Sequence, residues 1–358
     1  LAGFNSNLGD QLLRQQPDPF TIATQAKIDE SMPELPEVET MCRGIASVVG
    51  KQILAAGRVK CNRKPIHVAP EPEKWKKFAV EQVVQAVSRI GKRVVLELAN
   101  RFRIVFEPRM TGLVLLADPP SQEHLRFEVR LSDAKPPLGD AVKVMPGQYR
   151  QGGQRAAKLT TAANQTAAEQ GSTQDQQMLT AAQSQHSTRL LFWDRRGLGS
   201  VRLFSEVEFA QTFLSGQVGV DALEVTVKQL ARIFADCRQA IKPALLLQKK
   251  LAGVGNLYAS ELLFNAKVSP TLICQEISSA QWRRIHKEML NVLLQAIAYE
   301  GSTLGDGTYR NALNQEGGYQ NHHRVYAREG KPCPRCHKKI VRIVQTQRAT
   351  FYCPKCQR

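Results

Sequence analysis

The sequence has no apolar run near the ~18 residues of a spanning helix, so its 358 residues are read as holding no transmembrane segment. It is short of acid, with 32 Asp and Glu against 49 Lys and Arg, and its net charge is +17. That imbalance points to a polyanionic partner, nucleic acid first and an anionic membrane surface second. Residues 1–31 contain no methionine and no charged-then-apolar leader pattern. Asp10, Asp18, Asp29 and Glu30 argue against a transit peptide. Outside the C-terminal tail, cysteine is confined to Cys42, Cys61, Cys237 and Cys274, which are scattered. This is cytosolic usage, not a disulfide framework. No internal repeat is present, and the length allows two or three domains with a proper core.

The first methionine is Met32, opening Met32-Pro33-Glu34-Leu35-Pro36-Glu37-Val38-Glu39-Thr40. A chain initiated there and relieved of its methionine begins at Pro33, a secondary amine with a pKa near ~8. Such an amine attacks an aldehyde-like carbon and forms an iminium, with Glu34 beside it to move protons. The same nonapeptide also reads as a proline turn that opens a helix, with Glu37 and Glu39 in its first turn. Residues 1–32 are expected to be disordered, or to be upstream sequence translated through a misplaced start.

A short helix is expected over Val38–Val49 and ends at Gly50. Runs rich in Val, Ile and Leu follow at Gln52–Val59, Val83–Ile90, Arg93–Leu98, Arg103–Phe106 and Leu113–Leu116, as in a β-sandwich or barrel. Ile90-Gly91-Lys92-Arg93 is a basic turn inside this set, read either as a solvated hairpin or as a site element. His124–Leu131 alternates, with His124, Arg126, Glu128 and Arg130 on one face. The tract 133–187 is rich in Gln, Ala, Thr, Gly and Ser and is expected to be a disordered insertion, because strand pattern resumes at Arg189–Trp193.

From Val227 the period turns helical, with a second short helix at Ala244–Gln248 and a third running through Ala266. Gly253-Val254-Gly255-Asn256 between them either aims N–H groups at a phosphate or simply caps a helical hairpin. Ser278–Tyr299 reads as a long amphipathic helix with Ser278 as N-cap, and Gly301–His323 as a mobile polar loop. The tail carries Cys333-Pro334-Arg335-Cys336 and Cys353-Pro354-Lys355-Cys356. This spacing predicts one tetrahedral zinc with four thiolate ligands, a structural ion with no open position for catalysis. Lys338, Lys339, Arg342, Gln347 and Arg348 make the intervening hairpin a basic finger.

Five stretches together resemble the bacterial formamidopyrimidine-DNA glycosylases. They are Met32–Glu39, Ile241-Lys242-Pro243, Gly253–Ala259, Gly301-Ser302-Thr303-Leu304 and Gln347-Arg348-Ala349-Thr350. The resemblance runs from Met32 to Arg358, interrupted by the insertion. It implies an α+β multidomain fold: an N-terminal β-sandwich over 33–205, an all-α helix–two-turns–helix domain over 220–323, and a zinc finger over 324–358. It implies a bifunctional glycosylase and AP lyase for oxidised purines, working on damaged double-stranded DNA. The protein is then expected to be a monomer in the bacterial cytoplasm, held at the nucleoid through DNA.

Carried over by position, the resemblance makes Pro33 the nucleophile at the sugar C1′ and Glu34 the proton donor that opens the ring. Lys92 becomes the proton-transfer lysine of β-elimination, and Arg348 the finger arginine of δ-elimination. His124, Arg196, Arg238, Lys242 and Asn256 fall on DNA-contacting positions, the last two at phosphates flanking the lesion. Of the three side chains that fill the void of a flipped base, Met110 matches the first and Arg196 the second. Leu198 stands where a phenylalanine is usual, and Gly197 replaces a second arginine. Two rivals remain at this stage: an endonuclease VIII-type glycosylase for oxidised pyrimidines, disfavoured by Leu35, and a catalytically dead zinc-finger DNA-binding protein.

Overall fold

The computed structural model describes residues 32–132 and 187–358. The expectations for residues 1–31 and for 133–186 lie outside the described residues. Helix α1 spans Leu35–Gly44, three residues earlier than the apolar period suggests. Its first turn carries Pro36, tolerated there because that N–H has no helical partner, and Glu37 turns back to accept the Glu34 N–H.

Strands β1 (Ile53–Arg58) and β2 (His67–Ala69) and helix α2 (Pro72–Phe78) follow. Next come β3 (Val84–Ile90), β4 (Arg93–Leu98), β5 (Arg103–Glu107), β6 (Gly112–Leu115), β7 (Leu125–Leu131), β8 (Thr188–Asp194) and β9 (Ser200–Phe204). They form a five-stranded sheet in the order β2-β9-β5-β4-β3 and a four-stranded sheet in the order β1-β7-β8-β6. All neighbours are antiparallel except β2 and β9. The inner faces share one core, with Val94, Leu96 and Phe106 from one sheet against Leu113, Phe127 and Phe192 from the other. Phe106 and Phe192 meet across the gap at 5.9 Å between ring centroids. This is the expected sandwich.

His124 belongs to a 3₁₀ turn (Gln122–His124) that leads into β7, not to the strand itself. Leu125, Phe127, Val129 and Leu131 lie in the sandwich core, so Arg126, Glu128 and Arg130 share the other face as expected. Arg126 is buried on that face, donating to the Asp194 carbonyl and to the Cys61 sulfur, both at 2.8 Å.

Beyond the sandwich lie α3 (Glu206–Phe209), extended by a π-helical turn over Ala210–Leu214, and β10 (Val220–Asp221). Helices α4 (Val227–Ile233) and α5 (Ile241–Leu245), strand β11 (Leu251–Ala252), helix α6 (Asn256–Ala266) and helix α7 (Ser279–Ala298) follow. The second short helix thus starts earlier than expected. Ser278 caps α7 by accepting the Gln281 N–H, and Trp282, Ile285, Met289, Val292 and Leu293 form its buried stripe.

The tail adds the hairpin β12 (Val341–Gln345) and β13 (Arg348–Tyr352), whose turn residues Thr346 and Gln347 have φ of 46° and 63°. Both central residues are left-handed, as a type I′ hairpin turn requires.

Gly301–His323 was expected to be mobile but is nailed down at several points. Tyr309 and Ala312 sit in the sandwich core and Tyr319 in the helical core. The Ala312 carbonyl accepts the Leu116 N–H at 2.9 Å. A methyl group on Gly44 would lie 2.5 Å from the Ala312 Cβ, so α1 leaves room for this loop by carrying no side chain there. A polar composition concealed two aromatic anchors.

One buried cation ties the finger to the helices. Lys242 on α5 is 1% exposed and donates to Asn256 Oδ1 at 2.5 Å, Thr350 Oγ1 at 2.8 Å and the Ala349 carbonyl at 2.9 Å. Lys242→Ala leaves these acceptors without their donor, each worth roughly 1–3 kcal/mol when buried and unpaired. Its denaturation midpoint is expected to fall by an amount corresponding to about 3 kcal/mol, with earlier proteolysis of the finger than of the sandwich. Wild-type resistance in both assays counts against this tie.

Candidate active site and nucleic-acid face

The N-terminal turn of α1 is pressed against the glycine turn before α6. The Leu35 N–H donates to the Gly253 carbonyl at 3.0 Å. Gly253 has φ of 103°, and a Cβ there would meet Leu35 atoms at 2.5 to 3.1 Å. A Cβ at Gly255 would lie 2.3 Å from Glu34 Cδ and 2.5 Å from the Lys92 Nζ. Only glycine lets two charged side chains approach this backbone.

Glu34 is buried and its Oε1 accepts the Leu257 N–H of α6 at 2.9 Å. Its Oε2 is buried and has no partner among the described residues. Burial pushes the carboxyl up to about 7, against the pull of Lys92 and the Leu257 and Gly255 N–H groups, while the Glu37 charge adds to the rise. Lys92 is pushed the other way. Burial lowers its pKa, opposed by Glu34 and Glu37 and reinforced by Arg348 and Arg93. An acid raised and a base lowered side by side are suited to handing protons on and taking them off near neutral pH.

Pro33 precedes Glu34 and is itself buried. A small cavity of about 90 Å³ opens beside it, lined among others by Glu34, Glu37, Met110, Asn256, Tyr258 and Arg348. A larger cleft of about 670 Å³ lies behind α1 and shares no lining residue with it. Size does not mark the reactive centre here; the perturbed acid and base do.

The structure thus brings together Pro33, Glu34, Lys92, Met110, Asn256 and Arg348. Lys242 stands behind Asn256, with its ammonium inside the protein. His124, Arg196 and Leu198 form a second group around the β7–β9 loops. Arg196 is exposed, as is Leu198. His124 packs its ring edge-on against Trp193 and pairs with Glu123 at 3.1 Å. Desolvation first, and then Arg126, hold its pKa below the usual value against the pull of Glu123. Arg238 is exposed between α4 and α5.

Sequence reasoning missed three anchors. Glu37, read as a first-turn charge, accepts the Tyr258 hydroxyl at 2.5 Å and the Ser302 N–H at 2.9 Å, so it locks α1, α6 and the loop after α7 together. Glu261 on α6 accepts three consecutive N–H groups, of Arg324, Val325 and Tyr326. Asp194 takes the Thr111 hydroxyl at 2.5 Å, the Arg196 N–H at 3.1 Å and the Gly199 N–H at 2.7 Å, which links the Met110 loop to the Arg196 loop. The available signal was an acid inside an apolar helix face, as at Glu261.

The four tail cysteines place their sulfurs within 4.8 Å of one another, with Cys333–Cys356 at 3.9 Å and Cys336–Cys353 at 3.5 Å. A tetrahedral zinc with Zn–S of about 2.3 Å needs edges near ~3.8 Å. The donor set fits.

Residues 32–139 match the formamidopyrimidine-DNA glycosylase N-terminal domain and 218–307 its H2TH domain. Residues 330–358 match the zinc finger found in FPG and IleRS. The chain belongs to the formamidopyrimidine-DNA glycosylase family. It is 30% identical to the formamidopyrimidine-DNA glycosylase of Chloroflexus aggregans over 331 residues, covering 91% of this chain and 98% of that one. One from Streptococcus pyogenes is also 30% identical, with 91% and 99% covered.

Among solved structures, a Lactococcus lactis FPG mutant in complex with DNA containing Fapy-dG aligns with a TM-score of 0.69 at 25% identity. That alignment covers 91% of this chain and 100% of that one. MutM (FPG) from Thermus thermophilus aligns at 0.68 and 26%, covering 91% and 98%. By this membership the protein is a base-excision DNA glycosylase with one structural zinc.

Two measurements test the site's physics. Carboxyl NMR is expected to show Glu34 titrating near 7 in the free protein, and higher still in Lys92→Met, because a favourable cation is lost. An inflection near 4 in both proteins refutes the burial argument. Chelation of zinc, or Cys353→Ser, is expected to abolish DNA binding while the sandwich keeps its fold, since structural zinc contributes on the order of 10 kcal/mol to finger folding. Full affinity after complete chelation removes the finger from the interface.

Proposed function

We propose that the protein excises oxidised purines such as 8-oxoguanine and formamidopyrimidines from damaged double-stranded DNA and then cleaves the strand. It acts as a monomer in the cytoplasm. Residues 33–205 carry the chemistry, 220–323 and 324–358 grip the duplex, and DNA lies between them. The observation that carries this reading is the Glu34–Lys92 pair beside Pro33, at the N-terminus of α6.

The target base leaves the stack, because its glycosidic bond is out of reach inside a duplex. The Pro33 nitrogen bonds to C1′ as the bond from C1′ to the base breaks, and the base departs with a proton. Glu34, a carboxylic acid over much of the neutral range, gives its proton to the sugar ring oxygen as C1′–O4′ opens. The product is an iminium between Pro33 and the open sugar. Lys92, its charge disfavoured by burial, takes the C2′ proton, and the 3′ phosphate leaves. A second elimination at C4′ expels the 5′ phosphate, with Arg348 pairing the departing anion.

Asn256, held by Lys242, reaches a flanking phosphate, and Arg238 and His124 reach others. Met110, Arg196 and Leu198 fill the void of the flipped base; an exposed leucine is an apolar wedge of the kind that holds duplexes open. A Lactococcus lactis FPG is also known with DNA containing an oxidised pyrimidine, so the pyrimidine reading stays in the test.

An amide nitrogen is not nucleophilic, so Pro33 attacks only in a chain whose first residue it is. Borohydride is expected to trap such a chain on 8-oxoguanine duplexes, more slowly on thymine glycol, and not at all once a residue is added ahead of Pro33. Glu34→Gln is expected to lose ~10²–10⁴-fold in excision yet still cleave a preformed abasic site. Equal trapping by the blocked and free chains makes a lysine the nucleophile, with Lys92 the first suspect.

A further inference from the structure

Arg89, the second-last residue of β3, belongs to none of the roles above. Its side chain is 9% exposed. The Nε donates to Glu39 Oε2 on α1 at 3.0 Å. The Nη1 donates to Asp221 Oδ2 on β10 at 2.6 Å and to the Gly91 carbonyl at 2.9 Å. Two acids and one turn carbonyl are therefore gathered on a single guanidinium. Burial opposes its charge, but Asp221 and Glu39 outweigh that and hold its pKa above the ordinary range.

Each acceptor leads to a different wall of the active site. Glu39 is on the helix whose first turn carries Glu34. Asp221 pairs with Ala252 of β11, one residue before Gly253. Gly91 and Lys92 are the two central residues of the β3–β4 hairpin, which closes on Ile90 opposite Arg93.

The third acceptor decides the matter. Gly91 has φ of 58° and Lys92 is not among the residues with positive φ. This is the pattern of a two-residue turn with glycine in the first central position, type II′. The alternative, type I′, differs mainly by flipping the peptide between the two central residues and forces φ > 0 at Lys92 as well. The flipping peptide is the one whose oxygen Arg89 holds.

We infer that Arg89 is the positioning residue for Lys92: by holding the Gly91 carbonyl against α1 and β10 it selects the turn that points the Lys92 ammonium at Glu34. Flipping that peptide redirects the Lys92 side chain while the two sheets and the helical core stay as they are. This rests on the reading of Lys92 as the proton-transfer group, but the placement of Lys92 against Glu34 is measurable without it.

The test uses the full-length protein with a free Pro33. The groups facing Glu34 are Lys92, Glu37 and the N–H groups of Gly255 and Leu257, and those facing Lys92 also include Arg348 and Arg93. With all of these retained, Arg89→Ala is expected to move the Glu34 carboxyl titration upward, towards that of Lys92→Met. It is also expected to lower the single-turnover rate on abasic duplex by ~10–100-fold, the cost of about 1 Å of misplacement, with Kd for the duplex unchanged. Arg89→Gln keeps a donor for the Gly91 carbonyl without the charge and is expected to restore most of the rate. Asp221→Asn, which weakens only the arm to β10, is expected to lower the melting temperature with little effect on either readout.

A lower melting temperature in Arg89→Ala with wild-type rate and wild-type Glu34 titration makes Arg89 a brace only and overturns the inference. If Arg89→Ala does not fold, Arg89→Lys decides in its place. One ammonium does not span both acids and the carbonyl, so an unchanged Glu34 titration there also overturns it. A shifted titration in Arg89→Ala with Lys92→Ala fully active leaves the placement standing and removes the lyase role of Lys92 instead.

Discussion

The Glu34 carboxylate at the first turn of α6 is the contact on which the rest depends. One of its oxygens accepts the Leu257 N–H, and the side chain lies against Lys92 and the backbone of Gly255. To reach that place, α1 must sit at the seam between two cores. Leu35 packs into the helical one, and Val38, Met41, Cys42 and Ile45 pack into that of the sandwich. Burial opposes negative charge on Glu34, Lys92 and the N–H groups at the helix N-terminus favour it, and the balance holds the carboxyl at about 7. Seating α1 in two cores and poising an acid are the same arrangement seen at two scales.

The surrounding acids differ from Glu34 in what satisfies them. Glu37 accepts a hydroxyl and two backbone N–H groups, and Glu261 accepts three N–H groups. Buried carboxyls so fully bonded are struts. Glu34 retains a buried oxygen with no partner among the described residues. A buried oxygen left in this way suits a substrate group, and its neighbours Pro33, Lys92 and Arg348 argue for that use.

Much of this was legible in the residues. The strand runs from β3 to β9 stood out because Val, Ile and Leu cluster there, and the two C-x-x-C pairs gave the zinc site outright. Gly253 and Gly255 marked a turn into α6, although what packs against that turn was not visible in the spacing. Other features resisted for definite reasons. The burial of Arg126 was out of reach because its acceptors, the Asp194 carbonyl and the Cys61 sulfur, lie over sixty residues away. The burial of Lys242 was out of reach because nothing local reveals that Ala349 and Thr350, which accept from it, come from over a hundred residues away. The loop after α7 read as mobile because Tyr309 and Ala312 are too sparse to form a period, yet they fill the sandwich core.

Backbone space also bears on the loop proposed to fill the void, where the resemblance places a second arginine at Gly197. Gly197 has φ of 65°, and a Cβ placed on it would lie 2.9 Å from the Lys64 carbonyl oxygen. A side chain there requires both an unfavourable backbone and a displaced neighbouring loop. With Asp194 holding the N–H groups of Arg196 and Gly199 on either side, the turn is too tight to relax around it. Glycine at 197 and the compact loop therefore go together. This leaves Arg196 and Leu198 as the exposed side chains on either side of the glycine. Under the void-filling role proposed for this loop, the reading of the opposite strand falls to one cation and one aliphatic group. A leucine in that role fills volume without the flat face that stacks on a base, so the proposal places discrimination in the charge and reach of Arg196 rather than in stacking.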